Sequence, residues 1–357
     1  MGEGAVGALE RHRQERVFLV SDEQLSQTAG YREVRSQFAG PVAEYLDVQP
    51  DPSATEVARG VLAYLECEPD VVVAFGGGSV IDAAKAMHHM AMASGGGARH
   101  GIVAIPTTSG SGSEVTSFSV VTDEEKQVKV PLISPNLIPT MAILDPGMVT
   151  SCPPRLTAYS GMDAVTHAIE AYVSTGANDF TDACAEKSIQ LSFNALPRCY
   201  SQGSDLAVRE RMHNASCLAA IAFDNAGLGL VHSLAHALGG RFHAPHGMLN
   251  AILLPHVIEF NATDPATARR YARLAQLCGF PANQDRVGAL NLASRVRRLA
   301  EAVGVRGGLE AAAGIPRAEL TAALTEVAET ALADPCTTTN PVPATRADLE
   351  RLLRSAT

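Results

Sequence analysis

Two hydrophobic rhythms alternate along the first 150 residues. Short, continuous apolar runs are RVFLV (16–20), DVVVAF (70–75), GIVAIP (101–106), VTSFSVV (115–121) and MAILD (141–145). Between several of them, apolar positions recur at helical spacing, as in SATEVARGVLAYLE (53–66) and VIDAAKAMHHMAMA (80–93). Strand, helix, strand in that order predicts parallel βαβ units. A run as uniformly apolar as VVVAF fits a strand buried on both faces. Past about residue 152 the strand rhythm stops. Helical periodicity rich in Ala, Leu, Arg and Glu replaces it, as in ASRVRRLAEAVG (293–304) and ALTEVAETALA (323–333). Pro146 and the Pro153-Pro154 pair interrupt regular structure at the changeover. The pattern therefore predicts an α/β domain over 1–151 and an all-helical domain over 152–357.

Composition narrows the class. With 357 residues, 46% hydrophobic and 18% charged, the chain has enough apolar material for two cores. Its net charge of −10 disfavours nucleic acid or an anionic membrane as the main partner, because both need a basic footprint. A phosphate-bearing cofactor stays open, since backbone amides bind phosphate without net positive charge. Seven cysteines without a C-x-x-C pair indicate neither a disulfide framework nor a thiolate zinc site. The start is too polar for a secretory signal, and the longest uncharged stretches (225–240 and 242–258) carry histidines and glycines. The expectation is a reduced, cytoplasmic protein.

Gly76-Gly77-Gly78-Ser79 follows one predicted strand and opens a predicted helix. Glycines let backbone approach a ligand closely, and the first turn of a helix offers unpaired N–H groups to a pyrophosphate. A plain βα turn would look the same, and this turn is not the G-x-G-x-x-G fingerprint. A second turn after a strand, 107–113, has five hydroxyls and two glycines. Two such turns at the carboxyl ends of parallel strands favour a nucleotide crevice. Asp22, closing the first strand, reads equally as a ribose-binding acid or as a helix N-cap. In the first case NAD(H) is preferred over NADP(H).

The helical half carries the sharper pattern. His232, His236, His243, His246 and His256 fall within 25 positions, and Asp163 and His167 stand at i, i+4, a spacing repeated by His232 and His236. A carboxylate and imidazoles from different helices suit a divalent transition metal, Fe²⁺ or Zn²⁺. Gly239, Gly240 and Pro245 are expected to end the His232 helix and let His246 fold back. Spacing alone leaves open which histidines ligate. His12, His88, His89, His100 and His213 lack such company and read as packing or surface residues.

GGGSVIDAAKA, PTTSGSGSEVT, GMDAVTHAIEAYVS, GLGLVHSLAHALGGRFHAPHGMLNAILLP and DPCTTTNP resemble, in order from about residue 5 to 355, the iron-containing (group III) alcohol dehydrogenase family. The resemblance implies a Rossmann-like α/β domain followed by an all-α metal-binding domain, with the active site in the cleft between. It implies Asp163, His167, His232 and His246 as metal ligands and His236 beside the nicotinamide as the catalytic proton carrier. It assigns Asp22, Gly77, Gly78, Ser79, Thr107, Thr108, Ser111 and Lys129 to the cofactor. Phe118, Val120, Phe223 and Cys336 would line the substrate pocket. The implied partners are NAD(H), Fe²⁺ or Zn²⁺, a short primary alcohol or aldehyde, and a second copy of the chain.

Relatives of that family carry a strand ahead of the segment at 4–10 and a longer link before PTT, so the expectation is an upstream start or a differently built homodimer. A dehydroquinate-synthase-like lyase shares the two-domain plan, but it needs cationic side chains for an anionic sugar phosphate. Residues 225–260 hold only Arg241 and Glu259 as charged groups. A non-catalytic metal or nucleotide binder is the other alternative, and the joint presence of a donor set and two phosphate-type turns disfavours it.

Overall fold

The apolar runs assemble into one parallel sheet. The computed structural model describes residues 1–124 and 128–357. After a 3-10 helix at Ala5–His12 come, in chain order, β1 (Val17–Val20), α1 (Glu23–Ser26), α2 (Ala29–Ser36), β2 (Val42–Tyr45), α3 (Ala54–Cys67), β3 (Val71–Gly76), α4 (Gly78–Ala93) and β4 (Ile102–Pro106). After them come β5 (Phe118–Asp123), β6 (Val128–Ile133) and β7 (Met141–Ala142). Five strands pair in the order β2-β1-β3-β4-β7, all parallel.

Alternation along the strands builds a core on each face. Phe18, Val20, Val72, Ala74, Ile102 and Ala104 pack with Val57 and Tyr64 of α3 and Ile81 and Met87 of α4. Val17, Leu19, Val71, Val73, Val103 and Ile105 face the other way, against Tyr31 and Val34 of α2 and Leu9 near the start. Burial on both sides explains why these strands show no polar alternation.

Two sequence expectations need correction. VTSFSVV does not join the parallel sheet; β5 pairs antiparallel with β6 in a separate two-stranded ribbon. MAILD contributes only two strand residues. The pattern also missed β2, a four-residue edge strand, and β6, whose Pro131 removes a backbone donor. In a two-stranded ribbon every strand is an edge, so that proline is tolerated.

The remaining elements are all helices: α5 (Pro154–Val173), α6 (Asp179–Ser201), α7 (Leu206–Ala226), α8 (Leu230–Phe242), α9 (His246–Asn261), α10 (Pro265–Leu277), α11 (Asp285–Ala302), α12 (Arg317–Ala333) and α13 (Arg346–Ser355). By contacts the chain divides into Met1–Cys152 with Gly203–His213, and Pro153–Gln202 with Asn214–Thr357. The 203–213 segment is held in the first unit by buried Arg209, which donates to Cys152 O (2.9 Å) and Gly203 O (2.7 Å).

In the second unit α5 is buried continuously from Gly161 to Val173. Two glycines permit close crossings there. A Cβ on Gly161 would stand 2.2 Å from Leu196 Cδ1 of α6, and one on Gly247 would stand 2.1 Å from Tyr159 O. The second contact brings the start of α9, with His246, directly against α5. Among the described residues no single helix is long and apolar enough to cross a membrane, although α7 and α8 together pass that test by length and composition.

Candidate metal centre and cofactor loops

In the first unit, Gly77 is the N-cap of α4 and offers no side chain to its first turn. The two turns singled out in the sequence touch each other. A Cβ on Gly78 would lie 2.8 Å from Ser111 Oγ, and one on Gly77 would lie 3.4 Å from Thr108. Thr107 N donates to Gly76 O at 3.0 Å, which locks the turns in register. Asp51 N donates to Ser79 Oγ (3.3 Å), and Lys129 Nζ pairs with Asp51 Oδ1 (2.5 Å), so Lys129 reaches the first turn through Asp51. Asp22 caps α1: Leu25 N donates to its Oδ1 at 2.7 Å. The N-cap reading is thus realised for one carboxylate oxygen.

Beneath the turns lies a buried polar network that spacing did not reveal. Asp82 accepts from Ser113 Oγ (2.5 Å) and Val120 N (3.0 Å). Lys85, fully buried, donates to Thr116 O (2.8 Å), Thr116 Oγ1 (3.2 Å) and Phe118 O (2.7 Å). These bonds fasten the hydroxyl-rich segment and β5 to α4. Phe118 and Val120 stand two apart on β5, both partly buried. Burial pushes the Glu114 carboxyl up to about 7. Ser109 Oγ lies 2.9 Å from Nδ1 of buried His213, whose pKa burial, with the nearby Arg209, lowers to about 4.

In the second unit, Asp163 and His167 share one face of α5, His232 and His236 one face of α8, and His246 opens α9. The sequence expectation that Gly239 and Gly240 end α8 is incorrect. The helix continues to Phe242, and His243 terminates it in the left-handed region (φ 55°). Asp163 Oδ1 lies 3.6 Å from His167 Nε2, 3.5 Å from His232 Nε2 and 3.5 Å from His246 Nε2. Donors at about 2.1 Å from a tetrahedral cation stand about 3.4 Å apart, so these spacings fit a divalent transition metal.

Two further observations support that fit. Asn250 Nδ2 donates to Asp163 Oδ1 (2.7 Å) and lies 3.0 Å from His246 Nε2 and 3.3 Å from His232 Nε2. Asn250 thus lies against one carboxylate and two imidazoles at once, which marks the place where these groups meet. Asn250 Oδ1 is buried without a hydrogen-bond partner. Burial alone would raise the Asp163 carboxyl, yet His167, His232 and His246 together hold it well below the usual range.

His236 takes a different position. Its side chain is 41% exposed, and Nδ1 lies 2.8 Å from Asp334 Oδ2. Its ring stacks on His246 at 5.2 Å between centroids. Cys336 N donates to Asp334 Oδ1 (2.8 Å), and burial raises the Cys336 thiol. Phe223 lies against the His167 ring at 4.3 Å. Glu170, Asn250 and Asp334 escaped the sequence reading. The first two were findable, because Glu170 is at i+7 from Asp163 and Asn250 at i+4 from His246.

A parallel α/β unit with phosphate-type turns, followed by a helical unit carrying an Asp/His donor cluster, defines a metal-containing dehydrogenase class. Residues 1–146 match the family "Iron-containing alcohol dehydrogenase", and residues 157–357 match "Fe-containing alcohol dehydrogenase family, C-terminal". The chain is 43% identical over 355 residues to the 1-propanol dehydrogenase PduQ of Salmonella typhimurium, covering 99% of this chain and 96% of that one. Among solved structures, a 1,3-propanediol oxidoreductase superposes with a TM-score of 0.93 at 33% identity, covering 100% of this chain and 97% of that one. A sulfoacetaldehyde reductase from Bifidobacterium kashiwanohense, solved with NAD⁺, gives 0.88 at 26% identity, covering 99% and 95%. The chain belongs to the iron-containing alcohol dehydrogenase family. It is an alcohol dehydrogenase, an oxidoreductase.

Proposed function

We propose that the enzyme uses NAD(H) and a divalent metal, Fe²⁺ or Zn²⁺, to interconvert short primary alcohols and their aldehydes: alcohol and NAD⁺ give aldehyde, NADH and a proton. The observation that carries this reading is that Asp163, His167 and His232 bring ligand atoms within 4.8 Å of one another, with His246 Nε2 3.5 Å from Asp163 Oδ1. Relatives named for 1-propanol and 1,3-propanediol support a short substrate. The neighbour solved with NAD⁺ supports the cofactor.

Asp163, His167, His232 and His246 would hold the metal. A divalent cation among one carboxylate and three neutral imidazoles keeps a net positive charge, which lowers an alcohol's pKa and polarises a carbonyl. Gly77, Gly78 and Ser79 would take the pyrophosphate at the start of α4, where N–H groups are free of side-chain caps. Thr107, Thr108 and Ser111 would supply hydroxyls beside it, and Lys129 a further ribose contact. Asp22 keeps Oδ2 for the adenosine ribose, and its charge would repel a 2′-phosphate, hence NAD(H) over NADP(H).

His236 is assigned the proton. With Nδ1–H donated to Asp334, its Nε2 is left to accept a proton from the reacting alcohol and pass it to solvent. Phe118, Val120, Phe223 and Cys336 are assigned to the substrate pocket. A cytoplasmic homodimer completes the reading on family resemblance, and solution molar mass checks the dimer. The decisive assay follows NADH oxidation across an aldehyde panel, before and after chelation and with each metal restored. Loss on chelation and recovery on metal addition are expected; full activity in the chelated enzyme would overturn the proposal.

A further inference from the structure

Glu170 is only 4% exposed, and its two carboxylate oxygens do two different things. Oε1 accepts from Val231 N at 2.7 Å, in the first turn of α8. Oε2 lies 2.5 Å from His232 Nδ1. Nothing else caps that turn from its N-cap, since Gly229 has no side chain to offer. The neighbouring Leu230 N is taken by Asn340 Oδ1 at 3.3 Å, and Asn340 is anchored by donating to Asn261 Oδ1 and Val342 O, both at 2.8 Å. Gly229 is required by this arrangement: a Cβ there would stand 2.8 Å from both Glu170 Oε1 and Asn340 Oδ1.

Helix capping explains Oε1 alone. A neutral amide would cap as well and cost less to bury than a carboxylate. The second oxygen answers a different need. His232 has one ring nitrogen toward Asp163 and the other toward Glu170. Both neighbours are carboxylates, but Glu170 stands at 2.5 Å and Asp163 at 3.5 Å, so the close hydrogen bond runs from Nδ1–H to Glu170 and Nε2 is left to offer its lone pair to a cation held beside Asp163. A metal-ligating imidazole needs that tautomer, and a carboxylate behind the ring also raises its basicity.

Resting on the metal-centre reading above, we propose that Glu170 is the positioning residue of that centre: it fixes the tautomer and orientation of His232, and the capping of α8 fixes Glu170. Glu170→Gln tests this, because an amide cannot accept from both Val231 N and His232 Nδ1. The readout is Co²⁺ and Zn²⁺ affinity of the metal-stripped protein, by competition with a chromophoric chelator. A loss of about 10- to 100-fold is expected for Glu170→Gln. Asn340→Ala, which removes the other cap and leaves His232 untouched, should lower the melting temperature and keep the affinity.

Wild-type protein that binds neither ion would overturn the metal-centre reading itself. Wild-type binding with an unchanged affinity in Glu170→Gln would overturn the Glu170 assignment alone, as would equal losses in Glu170→Gln and Asn340→Ala. If Glu170→Gln does not fold, ¹⁵N-histidine-labelled wild-type protein loaded with Zn²⁺ supplies the readout. A downfield, exchange-protected Nδ1–H resonance that disappears in His232→Gln is expected, and its absence would overturn the assignment.

Discussion

The turns of the first unit and the donor cluster of the second are built by opposite means. Gly77, Gly78 and the hydroxyls at 107–113 offer neutral groups and backbone, and they owe their shape to contacts such as Gly78 against Ser111. The donor cluster gathers ionisable side chains, and carboxylates back two histidines there: Glu170 stands behind His232, and Asp334 behind the neighbouring His236. In the first region the charges, Asp82 and Lys85, are spent underneath, holding the loop to α4. The contrast teaches that a cofactor with its own charge needs a shaped neutral surface. A cation needs charge delivered at fixed spacing.

The comparison can be broken from either side. Short of removing a metal ligand, the largest effect is expected for His236→Ala: turnover should fall about 10²- to 10⁴-fold while metal content stays at the wild-type level. Steady-state kinetics with elemental analysis checks both; metal lost with turnover would return His236 to the ligand set.

Next comes Glu114, whose buried carboxyl titrates at about 7 rather than 4.5. Between those values the unfolded chain releases a proton that the folded chain keeps. Stability from this group is therefore present below about pH 4.5 and falls as pH rises to about 7, by on the order of 3 kcal/mol. His213 runs the other way, its contribution being lost as pH falls from 6.5 towards about 4. The difference between Glu114→Gln and wild type isolates the carboxyl. The melting-temperature gain of the variant should grow from pH 5 to pH 8, and a constant gain would contradict it.

Gly78→Ala drives a Cβ against Ser111. NADH affinity, read by fluorescence, should weaken about 10-fold, with metal content unchanged. The smallest effect is expected at Lys129, whose pair with Asp51 is exposed. Lys129→Ala should change NADH binding by less than about 1 kcal/mol, and a larger loss would make that lysine a main anchor.

The sheet was legible where burial on both faces left strands such as VVVAF continuously apolar. It was illegible at β2, where Glu44 faces Tyr31 and Arg35 at a sheet edge, and at β6, where Lys129 and Pro131 mask the pattern. The pairs Asp163/His167 and His232/His236 could be read because helical spacing is rigid. Two features were hidden for physical reasons. His243 ends α8 in a left-handed conformation that no glycine announces, and Asp334 meets His236 across 98 positions of sequence. The network of Asp82, Lys85 and Glu114 was hidden because charged residues are ordinarily read as surface.

The central claim is that four donors on α5, α8 and α9 make one metal centre on which turnover depends. Metal per chain and aldehyde-dependent NADH oxidation, measured side by side in wild type and His246→Ala, test it directly. One divalent ion per chain with turnover in wild type, and loss of both in His246→Ala, is the expected result. A His246→Ala enzyme that turns over without bound metal would contradict it.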